Sequence, residues 1–258
     1  MFAIIVPYRN REFFKQHLIN EVPKYIEKTH GLSPNGFNYK IIFSEQKDDD
    51  LFKVTLARNY GALWACLNFI DVTHFIFQDV DCLPIKNIDY QTPIIKFHLL
   101  GYGSSKIPKE DFLTVNGYNP LFMGWGGEDD EIYARIRFKL KVEDQKFRHL
   151  LDENCNGDNF NSIYEDLECK YGNSSYFSSN EIDRWKSDRP NYKNELYESI
   201  FYALNDDQKN KWISKFGLNL IKINSDRHKL IDKNDFIINL EYDNTCLDPK
   251  VFEMRNKL

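Results

Sequence analysis

Phe2 to Val6 is an apolar run closed by Pro7, the pattern of a short strand buried on both faces. Behind it Phe14, Leu18, Val22 and Tyr25 recur at three- and four-residue intervals, which predicts a helix with one apolar side. The alternation then repeats. Tyr39 to Phe43 predicts a second strand, and Leu56, Tyr60, Leu63, Leu67 and Ile70 mark one face of a second helix. His74 to Phe77 predicts a third strand that runs straight into Gln78-Asp79-Val80-Asp81, and Pro93 to Phe97 predicts a fourth. Strands alternating with helices predict an α/β fold, an open and mostly parallel sheet flanked by helices, whose ligands bind beyond the carboxyl ends of the strands. The acids that end the third strand therefore fall where such a fold takes its ligand.

Further along, a Gly-rich turn after Gly117 leads into a predicted helix over Asp129 to Leu140. Asn154 to Asp188 is rich in Asn, Ser, Asp and Tyr and reads as an irregular insertion. Helical spacing returns over Asn194 to Ile213, and the apolar runs Leu218 to Ile223 and Phe236 to Leu240 predict two last strands. No internal repeat is present, which removes solenoids and tethered arrays.

Charge and cysteine usage narrow the classes further. With 34 Lys plus Arg against 39 Asp plus Glu, the net charge of −5 does not suit a surface that coats a polyanion, so no nucleic-acid partner is expected. Five cysteines without a CxxC or a neighbouring His suggest neither a disulfide framework nor a zinc site. The opening Met1 to Pro7 has no basic region of a secretory leader, and no stretch approaches the ~20 apolar residues of a transmembrane segment. These features predict a soluble chain, cytoplasmic or peripheral at the inner membrane face.

Two motifs carry chemistry. Asp79-Val80-Asp81 places two carboxylates at i and i+2 of an extended segment, on one side of it. A hard divalent cation takes one or two such carboxylates and leaves its other positions to phosphate oxygens, so the pair suits a metal–diphosphate clamp, although a surface loop also tolerates two acids. Gly124-Trp125-Gly126-Gly127-Glu128-Asp129-Asp130-Glu131 is sharper. Four acids at a helix start meet the positive end of its dipole, which a solvated cap would also explain, but a Trp set among glycines is not part of a cap. A carboxylate within reach of a sugar hydroxyl can act as general base, and the indole offers a plane on which a pyranose can stack.

Taken together, the motifs of this chain resemble the β-1,4-galactosyltransferase family, inverting nucleotide-sugar transferases of the GT-A fold. Ile4-Ile5-Val6-Pro7-Tyr8-Arg9-Asn10-Arg11 is similar to the family's opening strand and uridine motif, and Phe77-Gln78-Asp79-Val80-Asp81-Cys82-Leu83-Pro84 to its Asp-Val-Asp segment. Phe112-Leu113-Thr114-Val115-Asn116-Gly117-Tyr118, followed by Gly124 to Glu131, resembles the acceptor and catalytic segment. Phe147-Arg148-His149-Leu150 resembles the metal-histidine stretch, while Gly217-Leu218-Asn219 and Ile237-Ile238-Asn239-Leu240 echo the terminal strands. The resemblance implies one GT-A domain over 1–258, with a nucleotide-binding half (1–100) and an acceptor and catalytic half (101–258) that carries the insertion at about 153–189.

The resemblance also implies roles. Pro7, Tyr8, Arg9 and Arg11 would line the uridine pocket beside Phe52, and Asp79 would contact the nucleotide. Asp81 and His149 would ligate manganese or a similar divalent cation. Asp129 would be the catalytic base, Glu128 and Asp130 would hold acceptor hydroxyls, and Trp125 would sit on a mobile loop closing over the donor. Some positions depart from the family: Val54 stands where it has a uridine-contacting Arg, a contact Arg58 would take over, and Lys146 and Leu151 replace residues near its metal. The unpaired cysteines and absent anchor resemble a bacterial or viral member. The expected activity is metal-dependent, inverting transfer of galactose or N-acetylgalactosamine from UDP-galactose or UDP-N-acetylgalactosamine to a saccharide acceptor, forming a β-1,4 bond in glycan or surface polysaccharide synthesis. Leu100, or Tyr102 on a two-residue shift, would stand at the family's donor-selecting position, where Leu would admit the acetamido group. A transferase using another UDP-hexose and a non-catalytic carbohydrate-binding relative are the alternatives.

Overall fold

Strand β1 (Phe2–Tyr8) lies in the middle of a seven-stranded sheet, and Ala3 to Val6 are fully buried, which is why the sequence there is apolar without alternation. The computed structural model describes residues 1–30, 38–80, 82–84, 98–101, 104–124, 126–141, 160–162, 192–224, 226, 228–230 and 237–257. β1 pairs in parallel with β2 (Tyr39–Gln46) on one side and β3 (His74–Gln78) on the other. β9 (Ile237–Tyr242) extends the parallel centre beyond β2. Antiparallel strands finish both edges: β6 (Ser104–Pro108), which leads into the short helix α3 (Lys109–Thr114), and β5 (His98–Gly101) beyond β3, and β8 (His228–Leu230) beyond β9. A separate ribbon joins β4 (Cys82–Pro84) to β7 (Phe160–Ser162), antiparallel. The expected α/β sheet is thus parallel at its centre and antiparallel at its edges.

The period of two along β1 divides the core. Ile4, Val6 and Tyr8 pack with Phe14, Leu18, Val22 and Ile26 of α1 (Glu12–His30), whereas Ala3 and Ile5 face Leu56, Ala57 and Tyr60 of α2 (Val54–Asn68). α2 approaches the sheet closely at Gly61, where a Cβ would come within 2.6 Å of Ser44 Oγ and 2.7 Å of Ile5 Cγ2. A side chain at that position would push the helix off β1 and β2.

Some predicted elements are redrawn. α2 ends at Asn68, leaving Leu67 71% and Ile70 97% exposed, so the apolar spacing overran the buried face. The predicted helix over Asn194 to Ile213 is two, α5 (Tyr192–Ala203) and α6 (Asp206–Lys215). Asn205 separates them by capping α6: its side chain accepts from Gln208 N at 3.0 Å while Gln208 Oε1 accepts from Asn205 N at 3.0 Å. Leu218 to Ile223 is not a strand but a 3-10 turn over Leu218–Leu220, followed by a single bridge from Ile221 to Leu247. Pro93 to Phe97 lies outside the described residues, as does the insertion apart from β7.

The helix α4 (Glu128–Leu140) is fixed by a buried ion pair. Arg135 Nε meets Glu131 at 2.8 Å, and Arg135 Nη1 also donates to the carbonyls of Phe216 (2.6 Å) and Gly117 (3.2 Å). Glu131 accepts in turn from Trp212 Nε1 at 3.0 Å, so α4, α6 and the turn at Gly117 share one polar knot. Leaving one charge of such a pair without its partner costs about 3–5 kcal/mol. Arg135→Met should therefore lower stability by that order in urea melts, and a variant as stable as the parent would remove the knot from the account of how α4 is held.

Candidate active site

The site is assembled from α2. Its N-terminal half is buried, and three polar side chains on it each reach a different part of the chain. Thr55 Oγ1 donates to the carbonyl of Phe122 at 2.9 Å. Asn59 clasps Tyr118 by both backbone groups, donating to its carbonyl at 2.8 Å and accepting from its N–H at 2.9 Å. Arg58, between them, is 3% exposed and lies over the Tyr118 ring, 5.0 Å from its centroid. Its Nη1 donates to Asp129 Oδ1 at 2.6 Å and its Nη2 to Asp79 Oδ1 at 3.2 Å. Burial works against the charge of Arg58, yet Asp129 above all, with Tyr118, Asp79 and Glu128, holds its pKa well above the ordinary value. The carboxyl end of β3 and the start of α4 are thereby tied to one guanidinium.

Helical geometry divides the four-acid run. Glu128 and Glu131, three apart and on one side of α4, are buried, while Asp129 and Asp130 are exposed. Asp129 keeps 59% of its side chain open to solvent although its partner Arg58 is almost fully covered. Glu128 is 9% exposed, and its Oε2 has no hydrogen-bond partner among the described residues. Burial, then the neighbouring Asp129, raises its pKa from 4.5 to about 7, against the opposing pull of Arg58. A buried carboxyl with a vacant oxygen, beside an exposed one at a helix N-terminus, can bind a hydroxyl and take its proton.

The residues expected at the uridine pocket form a second cluster. Arg9 donates to the carbonyl of Asp50 and stacks over Phe52, 5.3 Å from the ring centroid. Lys53 is buried and pinned between Asp48 (3.1 Å) and Asp50 (3.6 Å), which shapes the loop carrying Phe52. Pro7 pairs with Ser44 inside the sheet, and Arg11 lies at the start of α1. Tyr8 is buried, with Lys15 Nζ 4.4 Å from its ring and its hydroxyl donated to Glu12 at 2.7 Å; burial followed by Glu12 raises that hydroxyl's pKa. The Phe52 carbonyl also accepts from Gly124 N at 2.8 Å, which joins this cluster to the Gly-rich loop. There Gly126 and Gly127 have φ of 102° and 79°, and a Cβ at Gly126 would meet nothing, so backbone conformation alone favours glycine at that position.

Asp79, Arg58, Glu128 and Asp129 are thus brought together, with Asp130 next to them on the exposed side of α4. Among the described residues Arg58 pairs with the carboxylates of Asp79 and Asp129 and not with the cluster of Arg9 and Phe52. Asp81, Trp125, His149, Lys146 and Leu151 lie outside the described residues, as does Tyr102, while Leu100 falls within β5. Sequence reasoning missed Thr55, Asn59 and Tyr118 as the supports of the site. The available signal was polar residues at positions 55, 58 and 59, which interrupt an otherwise apolar helix.

Comparison with known proteins shows what the chain is similar to. A family model described as the N-terminal domain of galactosyltransferase matches residues 85–153. The chain is 27% identical to human β-1,4-galactosyltransferase 1 over 156 residues, 53% of this chain and 37% of that protein. It is 28% identical to human β-1,4-galactosyltransferase 4 over 164 residues, 54% of this chain and 44% of that protein. These matches span less than half the length of either relative. The catalytic domain of Drosophila β1,4-galactosyltransferase 7, solved with xylobiose, superimposes with a TM-score of 0.57 at 19% identity, covering 93% of this chain and 92% of that one. A mutant of the same enzyme, solved with manganese, UDP-Gal and xylobiose, superimposes equally well. The likeness establishes the GT-A fold.

The raised pKa of Glu128 has a stability consequence with a definite sign. Between 4.5 and about 7 the folded protein keeps a proton that the unfolded chain has released, so this contribution is present at low pH and lost as pH rises through that window. Glu128→Gln should melt with the parent near pH 4.5 and above it at pH 8, by up to ~3 kcal/mol at about 1.36 kcal/mol per pKa unit. Scanning calorimetry across that range decides it. Parallel melting curves at every pH would mean Glu128 is not held as a high-pKa acid.

Proposed function

We propose that the chain is a member of the β-1,4-galactosyltransferase family, to which its relatives belong, and that it is a metal-dependent, inverting glycosyltransferase moving galactose from UDP-galactose to a sugar hydroxyl. The observation that carries this reading is the convergence of Asp79 and Asp129 on Arg58, because it sets the nucleotide-side carboxylate and the exposed carboxylate of α4 in one site. A carbohydrate-binding module has no need of a base beside a diphosphate clamp.

In this reading Arg9 and Phe52 receive the uridine, with Pro7, Tyr8 and Arg11 shaping the floor behind them. Asp79 stands at the carboxyl end of β3 with 38% of its side chain exposed, so the Asp-Val-Asp element begins where an anionic diphosphate needs a cation beside it. Asp81 and His149 would hold that ion, an oxygen and an imidazole donor suited to manganese. When bound, manganese would neutralise charge on the diphosphate. Asp129 accepts the proton of the acceptor hydroxyl as the acceptor oxygen bonds to the sugar C1 and the bond from C1 to UDP breaks, so the anomeric configuration inverts. Glu128 and Asp130 hold the acceptor's hydroxyls, and Trp125 closes over the donor. The same site is extended to UDP-N-acetylgalactosamine on the sequence argument at Leu100. Among the described residues no helix is long and apolar enough to cross a membrane, and the free thiol of Cys66 suits a cytoplasmic setting.

Two experiments test the reading. Asp129→Asn keeps the size and hydrogen bonding of the side chain but cannot take a proton, so UDP binding by calorimetry should persist while turnover falls ~10²-fold or more. An active Asp129→Asn beside a dead Glu128→Gln would move the base by one residue. Chelation by EDTA should abolish UDP release in the presence of acceptor, and added manganese should restore it. Full turnover in chelator would sink the clamp.

A further inference from the structure

Arg58 was expected at the uridine, as the substitute for an Arg replaced here by Val54. Val54 and Arg58 are four residues apart on α2 and so share a face, one turn of helix from each other. That single turn carries the guanidinium to the acids. We infer that Arg58 is the positioning residue of the transfer reaction: its fork holds the base Asp129 by one oxygen, leaves the other for the acceptor hydroxyl, and fixes that base relative to Asp79 on the nucleotide side.

The inference deepens the proposed function, since it rests on Asp129 being the base. Three observations support it. The fork engages the two carboxylates through different amino groups, at 2.6 Å and 3.2 Å, an arrangement a planar guanidinium makes and a lysine ammonium does not. Arg58 is itself held rigidly, with 4% of its side chain exposed, the Tyr118 ring beneath it and Asn59 clasping the backbone of that same tyrosine. Its cationic charge also stands among Asp79, Glu128 and Asp129, which without it would repel one another and any diphosphate brought alongside. The charged and titratable groups facing Asp129 among the described residues are Arg58 of α2, Asp79 beyond β3, Tyr118, and Glu128 of its own helix.

The test is a cycle of Arg58→Met, Arg58→Lys, Asp129→Asn and the double variant Arg58→Met/Asp129→Asn, assayed for kcat, donor KM and melting temperature. Arg58→Met should lower kcat ~10-fold or more with donor KM changed less. Arg58→Lys should keep the melting temperature near the parent's while kcat stays low, because one ammonium cannot reproduce the fork. In the Asp129→Asn background, Arg58→Met should cost little further turnover, since Arg58 acts through the side chain already removed. A purely structural Arg58 would instead lower the melting temperature and the active fraction together and add its full loss to Asp129→Asn. That result overturns the inference. So does an Arg58→Lys variant with parental kcat, a measurement that stands if Arg58→Met fails to fold. An Asp129→Asn variant with parental turnover would instead overturn the assignment of the base, so the two failures are distinguishable.

Discussion

A guanidinium taken almost wholly out of water stays charged only where carboxylates meet it, and carboxylates gather at close quarters only where a cation stands between them. Arg58, Asp79 and Asp129 satisfy both conditions at once. The elements involved are far apart in sequence: a helix between β2 and β3, the end of β3 and the start of α4. Their mutual position is therefore specified by electrostatics as well as by packing. Thr55 and Asn59 bind the backbone on either side of the turn that leads to α4, so one helix fixes both the charge and the path of the chain around it.

The acidic segment shows how one helical turn can divide labour among adjacent like residues. Glu131 turns inward and serves structure through Arg135 and Trp212. Glu128 turns inward beside the site, where burial favours its protonated form. Asp129 and Asp130 remain accessible to a ligand. Four chemically similar side chains thus acquire different environments from their angular position alone, and the positive end of the helix is available to those that stay ionised.

Much of the fold was legible because strands buried on both faces leave a continuous apolar record, as Phe2 to Val6 and Ile41 to Phe43 do. The motifs were legible for a different reason: Gly126 and Gly127 are required by backbone dihedrals, and acids at a strand end by the position of ligands in α/β sheets. What escaped was set by tertiary context. Ile70 continues the helical spacing but is 97% exposed among the described residues, and Leu218 and Leu220 are apolar because they fill the core rather than because the segment is extended. The break at Asn205 was written in a capping box that apolar periodicity does not register. Arg58 was noticed as a residue, yet its destination depends on which turn of α2 faces the carboxylates, a fact of packing that spacing alone does not state.

Strand order also has a consequence for synthesis. β2 lies between β1 and β9, so Ile41 must wait for Ile237 before its outer edge is paired. At about 5–20 residues per second, a ribosome takes on the order of ten seconds or more to deliver that partner. Throughout that interval the nascent chain presents an apolar, unpaired edge of the type that recruits stray strands. Elongation speed and chaperone cover between the two segments are thus part of what this topology demands of the cell that makes it.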